Sequence, residues 1–225
     1  RQALEASYGN GTRAVEALKQ IDEILTEVDG LAKENAKSAT GPRSRKRNQQ
    51  KIDALMEKIE STAAKAGTEG NRVLTGSTSL TAGGAGSLKT ESFKLERVGL
   101  DTLGRITVGG RTLTLEDIAT REPLDTATGK DSAIDAARRS IEVAKERIAT
   151  VTEQIGAFQR ESIRPRLGDV ATAMEGLYTS TSLGSGEEAI ALARELRQMM
   201  LASSTIAVGV AADDWDRERV LDLLT

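Results

Sequence analysis

Four clusters in the 225-residue chain hold groups that could do chemistry. Asp213, Asp214 and Asp216 bring carboxylates close together, a set of hard oxygen donors suited to Ca²⁺ or Mg²⁺. The spacing and closing Glu of an EF-hand loop are absent, so a solvated acidic turn accounts for them better. Arg43, Arg45, Lys46 and Arg47 could contact a phosphate backbone. That run has no interleaved aromatics for base stacking, and the chain carries 34 acidic against 31 basic residues, a formal charge of −3. A solvated helix start fits it better than nucleic acid. Gly83-Gly84-Ala85-Gly86 is glycine-rich, but no Lys-Ser or Lys-Thr pair ends it and no apolar strand immediately precedes it, so it is not a phosphate loop. Glu187-Glu188 stands at an expected helix start, where paired carboxylates favour the positive end of the helix.

The missing residue types exclude more than the clusters suggest. With no Cys and no His there is no Ser-His-Asp triad, no thiolate nucleophile, no zinc site built on those ligands and no disulfide. Sugar-processing carboxylates would need aromatic platforms, and the aromatics are only Trp215, Tyr8, Tyr178, Phe93 and Phe158. No apolar run approaches the roughly 20 residues of a membrane span. The reading is therefore a non-enzyme with no cofactor, no metal, no nucleic-acid partner and no membrane partner. A first residue of Arg1 rather than Met suggests a fragment.

The elements that would position any site are mostly helical. Leu18, Ile21, Leu25, Val28 and Ala32 recur at alternating spacings of three and four, which predicts a heptad seam on a helix over 12–38, with Thr12 available as its cap. Thr40-Gly41-Pro42 closes that helix. A second helix is expected over about 44–66, with Ile52, Leu55, Met56, Ile59, Ala63 and Ala66 on one side, and the short connection makes the two an αα-hairpin. Neither can bury its stripe alone, so a third long helix must cover them.

The texture changes between Gly67 and Lys130. Alternation through Phe93, Leu95, Ile106, Val108, Leu113 and Leu115 predicts three to five short strands, and Ile106 to Leu113 reads as a hairpin turning at Gly109-Gly110. Helical periodicity returns near Asp131 through Ile134, Ala137, Ile141, Ala144 and Ile148, then Val151, Ile155, Phe158, Ile163 and Leu167, with Pro165 expected to kink or break it. A last helix carries Ala189, Leu192, Leu196, Met199, Ser203, Ile206 and Val210 before the tail Val220-Leu221-Asp222-Leu223-Leu224. Seams of this length ask for partner helices, supplied either by the chain folding back or by identical neighbours. A repeated head-to-tail contact would generate a helical filament.

Four segments resemble bacterial flagellins. Ala17-Leu18-Lys19-Gln20-Ile21-Asp22-Glu23-Ile24-Leu25, with Leu31-Ala32 beyond, resembles their N-terminal conserved helix. Ile52 to Ile59 followed by Gly70-Asn71-Arg72-Val73-Leu74-Thr75-Gly76 resembles the second helix and the turn ending in "Leu-Leu-x-Gly". Ile155-Gly156-Ala157-Phe158-Gln159-Arg160 is similar to "Leu-Gly-Ala-x-Gln-Asn-Arg" of the long C-terminal helix, and Arg219 to Leu224 to the "Asn-Val-Leu-x-Leu-Leu" terminus. These cover both helical arms in the family's order and leave the middle unmatched.

The resemblance implies a mainly α fold: an elongated rod-like bundle of long antiparallel helices with a small central β-hairpin region, the N- and C-terminal arms packed along one rod. The divisions are 1–72, the N-terminal helical arm; 73–130, a small variable β-rich insert; 131–182, the long C-terminal helix; and 183–225, a terminal core helix. Leu18, Ile21, Leu25, Val28, Ile52, Leu55, Ile59, Ile141, Ile148 and Ile155 would pack the rod. Leu196, Met199, Val210, Leu221 and Leu224 would pack between subunits or against a core helix preceding Arg1.

The implied function is a structural subunit of the flagellar filament, extracellular and secreted without a cleaved signal through type III export. Its implied partners are other copies of itself, the export machinery, an export chaperone, and junction and cap proteins. The alternatives are a hook–filament junction protein, or a soluble helical secretion-linked adaptor.

The departures from the family carry charge. The signature "Ser-x-Ile-x-Asp-x-Asp" is replaced by Ser182 to Glu188, and an acidic Asp213-Asp214-Trp215-Asp216 replaces a region that is usually amide-rich. The family's Leu-Gln-Arg-Val-Arg-Glu-Leu segment, recognised by a vertebrate Toll-like receptor, is Leu25-Thr26-Glu27-Val28-Asp29-Gly30-Leu31 here. Glu27 and Asp29 reverse both charges, so poor activation of that receptor is expected. Reporter signalling equal to that of an enteric flagellin would contradict this.

Overall fold

The computed structural model describes residues 2–37, 39–68, 71–76, 78–83, 90–120 and 124–181. The expected terminal helix over 183–225, with Leu196, Met199, Val210, Leu221 and Leu224, lies outside the described residues. So do Asp213–Asp216, Glu187-Glu188 and Gly84–Gly86. The described chain is mainly helical, with small antiparallel ladders between its helical arms.

Helix α1 (Gln2–Ala36) is the central element, packed along both α2 (Pro42–Lys65) and α4 (Asp131–Phe158). Its buried positions Leu4, Ser7, Gly11, Ala14, Leu18, Ile21, Leu25, Val28, Ala32 and Asn35 alternate in spacing between three and four. Ala17 and Ile24 widen the seam, so that it meets a helix on each side. The helix begins at Gln2 rather than near Thr12. Thr12 is not a cap: its hydroxyl donates back to the Tyr8 carbonyl at 3.0 Å within the helix. The seam continues upstream through Leu4, and that packing outweighs the roughly 1 kcal/mol that a helical glycine such as Gly9 costs.

The turn after α1 is tied by Thr40 Oγ1, which donates to the Glu34 carbonyl at 2.7 Å. Pro42 then opens α2 at a position where its missing N–H costs nothing, after an extended Gly41.

Helix α4 runs antiparallel to α1. Arg138 meets Asp29, Lys145 meets Thr26, and Gln159 meets Tyr8. Pro165 neither breaks nor ends the helical run. A π turn over Gln159–Ile163 joins α4 to α5 (Arg164–Thr181). A proline ring clashes with the carbonyl four residues back, here that of Glu161, and the wider turn around that carbonyl makes room for it.

Between the arms, six short strands form three two-stranded antiparallel ladders among the described residues, one strand beyond the expected three to five. They are β1 (Gly67–Thr68) with β2 (Asn71–Arg72), β3 (Ser79–Ala82) with β4 (Glu91–Lys94), and β5 (Ile106–Val108) with β6 (Arg111–Leu113). The last pair turns at Gly109 and Gly110, whose φ angles of 56° and 79° suit a type I′ turn. Leu115 is not in a strand. It starts a short helix, α3 (Leu115–Thr120), where Asp117 accepts from the Thr114 amide at 2.7 Å and caps the first turn.

One core joins these pieces. Leu18, Ile21, Leu25, Ile52, Met56 and Ile59 are fully buried together with Leu74, Leu80, Leu95, Leu115, Ile118 and Leu124 from the middle segment. The ladders thus complete the helical core. Ser140 Oγ on α4 donates to the Gly104 carbonyl at 2.6 Å, and a Cβ on Gly104 would lie 2.5 Å from the Ser140 carbonyl, so only glycine allows that loop to sit so close.

Leu25→Ala should cost about 3 kcal/mol of unfolding free energy, while Val143→Ala on the exposed face should stay within about 0.5. Urea unfolding of the two variants measures this, and equal effects would contradict the placement of the core.

Candidate functional site

The ten residues expected to pack the helical arms meet around α1. Leu18, Ile21, Leu25, Val28, Ile52, Ile59, Ile141, Ile148 and Ile155 are buried in one cluster. Leu55 is only half-buried against it, and the neighbouring Met56 fills the α2 position. At three-four spacing Ile52, Met56 and Ile59 already form the inner stripe, which turns Leu55 to its edge.

Three sets of polar contacts anchor α1 to its neighbours, one to α2 and the 124–128 segment and two to the α4 run. At the α1–α2 turn, Asn48 Nδ2 donates to Asn35 Oδ1 at 2.9 Å, and Asn35 Nδ2 donates to Thr126 Oγ1 at 2.9 Å. Thr126 Oγ1 in turn donates to Gln49 Oε1 at 2.8 Å. The Gln49 amide closes the chain on Asp53 Oδ1 at 2.9 Å and on the Ile118 carbonyl at 3.0 Å. Asn35 and Thr126 are wholly buried, so every one of their bonds replaces water that the core excludes.

Midway along α1, Asp29 accepts from Arg138 Nε at 3.1 Å and pairs with Lys33. Burial pushes the Asp29 carboxyl up, but hydrogen bonds and positive charge from Lys33 and Arg138 outweigh this and hold it below the ordinary carboxylate range. Beside it lies a groove of about 830 Å³ over Val108 and Ile141. Asp29, Asp135, Glu142 and Glu146 balance Lys33, Arg138, Arg139 and Lys145 around it, so it offers no field of one sign to hold an ion.

The third anchor is Gln159, first residue of the π turn. Its Nε2 donates to the Tyr8 carbonyl at 2.9 Å and to Thr12 Oγ1 at 3.2 Å. Gly11 makes this approach possible, because a Cβ there would lie 2.7 Å from the Gln159 amide nitrogen. Arg164 donates to the Tyr8 hydroxyl at 2.9 Å with its guanidinium over the ring. On the same side Arg166 pairs with Glu91 at 3.1 Å and donates to the Ala82 carbonyl, docking the β3–β4 ladder on α5.

These anchors fix register; they do not assemble a reaction centre. Among the described residues no group of three or more Asp and Glu could hold a metal ion, and no helix is long and apolar enough to cross a membrane. The basic run occupies the first turns of α2, where Arg45 lies against Gly129, a residue with φ of 68° and no room for a Cβ beneath the guanidinium. No known family model and no curated protein sequence matches the chain.

The sequence names Asp29 and Gln159 only inside flagellin-like segments, not as anchors, and does not single out Asn35 or Thr126. Asn35 has a visible signal, since it continues the α1 seam three residues after Ala32. Gln159 has another, because the α4 seam slips at that position. Thr126 has none, because its role depends on a long-range contact.

The folded-state carboxyl of Asp29 is held below its ordinary value, so its contribution to stability is present at neutral pH and disappears as pH falls through that lowered value. Asp29→Asn should lower stability by about 1–2 kcal/mol at pH 7 and converge with the parent in strong acid. Urea unfolding across pH measures this, and a difference independent of pH would contradict the anchor.

Proposed function

We propose that the chain is a structural subunit of a bacterial flagellar filament, self-assembling by helix packing into a helical polymer for motility. The observation that carries this reading is the alignment of the flagellin-like segments. Ala17–Leu25 on α1 lies between Ile52–Ile59 on α2 and the α4 helix that ends in Ile155–Phe158, as expected for two arms of one subunit. In this reading the helices form an elongated rod of antiparallel members, and the two arms belong to one assembly unit with the ladders as a small side insert.

The chemistry is consistent with a protein that acts through its surface. The core is apolar, its buried amides are spent on register, and its charged groove is balanced. The remaining apolar sequence, Leu196, Met199, Val210, Leu221 and Leu224, then supplies the contacts between subunits. Location outside the cell, export without a cleaved signal, and an export chaperone, junction proteins and a cap protein as partners belong to the same reading.

Seeded polymerisation and pelleting test it. The full-length protein should pellet with sheared seeds, whereas these 225 residues without the expected preceding core helix should not. Leu221→Asp combined with Leu224→Asp in the full-length protein should stay in the supernatant with unchanged helical content by circular dichroism. Pelleting of this variant along with its full-length parent would show that the tail is not an assembly element.

A further inference from the structure

The phase of the α4 seam can be counted. Ile134, Ala137, Ile141, Ala144, Ile148, Val151 and Ile155 are buried at alternating three-four spacing. The same count carried forward would bury positions 158, 162, 165 and 169. The structure buries the set one residue later: Gln159 and Ile163 are buried, Arg166 and Val170 half-buried, and Pro165 and Asp169 exposed. The seam has skipped one residue.

The π turn is the skip. A turn closed by bonds five residues apart holds one residue more than an α turn, so it absorbs an insertion without rotating the helix beyond it. An uninterrupted α-helix would turn Ser162, Pro165 and Asp169 toward α1. With the skip in place, Ile163 closes a small core with Leu4 and Ala82, and Leu167 and Val170 pack on it. The skip could in principle sit at any turn of the run. Gln159 holds it where it is, with its amide lodged in the notch at Gly11 and bonded to Tyr8 and Thr12.

We infer that the Gln159–Gly11 lock and the π turn form a phase-setting joint: the lock fixes the position of a one-residue skip, and so fixes the rotation of α5 about its axis relative to α1 and α4. Without the lock the skip migrates into α5, because moving it the other way would turn the buried Ile155 and Val151 out of the core, whereas the described α5 positions beyond Ile163 are at most half-buried. Residues it passes then change phase by one position, about 100°. The joint thereby governs which face α5 turns to its neighbours. This inference stands on the helix geometry and does not depend on the filament reading.

The test is a spin-label distance in the full chain, which has no cysteine of its own to interfere. Lys65→Cys on α2 and Asp169→Cys on α5 are both exposed sites for nitroxide labels. The otherwise unaltered chain should give one narrow distance. Gly11→Ala, whose Cβ evicts the amide, and Gln159→Leu, which removes it, should each add a second population displaced by about 5 Å or more. Deletion of Glu161 combined with Pro165→Ala removes the skip itself and should keep the original narrow distance.

Gly11→Ala places a better helix former in α1 and so remains folded even if Gln159→Leu does not. An unchanged single distance in folded Gly11→Ala, or a displaced distance in the deletion variant, would overturn the proposal.

Discussion

The seam on α1 is the constraint that organises every other element. Alternating three-four spacing would serve a single partner, but Ala17 and Ile24 broaden the buried face until helices fit on both sides. Leu18, Ile21, Leu25 and Val28 are wholly shielded from water, and burying a side chain of that size contributes about 1.5–3 kcal/mol. Neither α2 nor α4 could bury its own stripe without this shared centre. The middle segment adds Leu74, Leu80, Leu95 and Leu124 to the same core, so the ladders depend on α1 as much as the helices do.

An apolar seam alone tolerates sliding, because one heptad looks much like the next. The polar anchors remove that freedom. Asn35 and Asn48 match only if α1 and α2 meet at one register, since a displaced partner would leave a buried amide without its bonds. Asp29 and Arg138 set the register of α4 from the other side, and Gln159 sets its far end against Gly11. The buried amides of Asn35, Asn48 and Gln159 each donate to a partner on another segment of the chain.

Much of this architecture is legible in the residues. The α1–α2 hairpin comes from two seams and a Gly-Pro turn, and the β5–β6 hairpin from Gly109-Gly110 between alternating runs. These signals are local, and each element carries its own. The start of α1 is not local: Thr12 reads as a cap, whereas packing of Leu4 and the fit of Gln159 carry the helix upstream across Gly11 and Gly9. Pro165 on its own is compatible with a break. The remedy lies in the preceding turn and becomes visible only when the seam is counted through it. Leu115 alternates with Leu113 as a strand residue would, a pattern that the Asp117 cap overrides. Thr126 has no sequence signal at all, since its partners Asn35 and Gln49 come from distant parts of the chain.

In the proposed filament reading, a sequence spent on holding helices in register has assembly as its activity. Negative-stain electron microscopy of the full-length protein, depolymerised by heat and reseeded, addresses that claim most directly. Long, uniform, unbranched filaments are the result that the account predicts. A chain that remains monomeric under all salt and seeding conditions would contradict it.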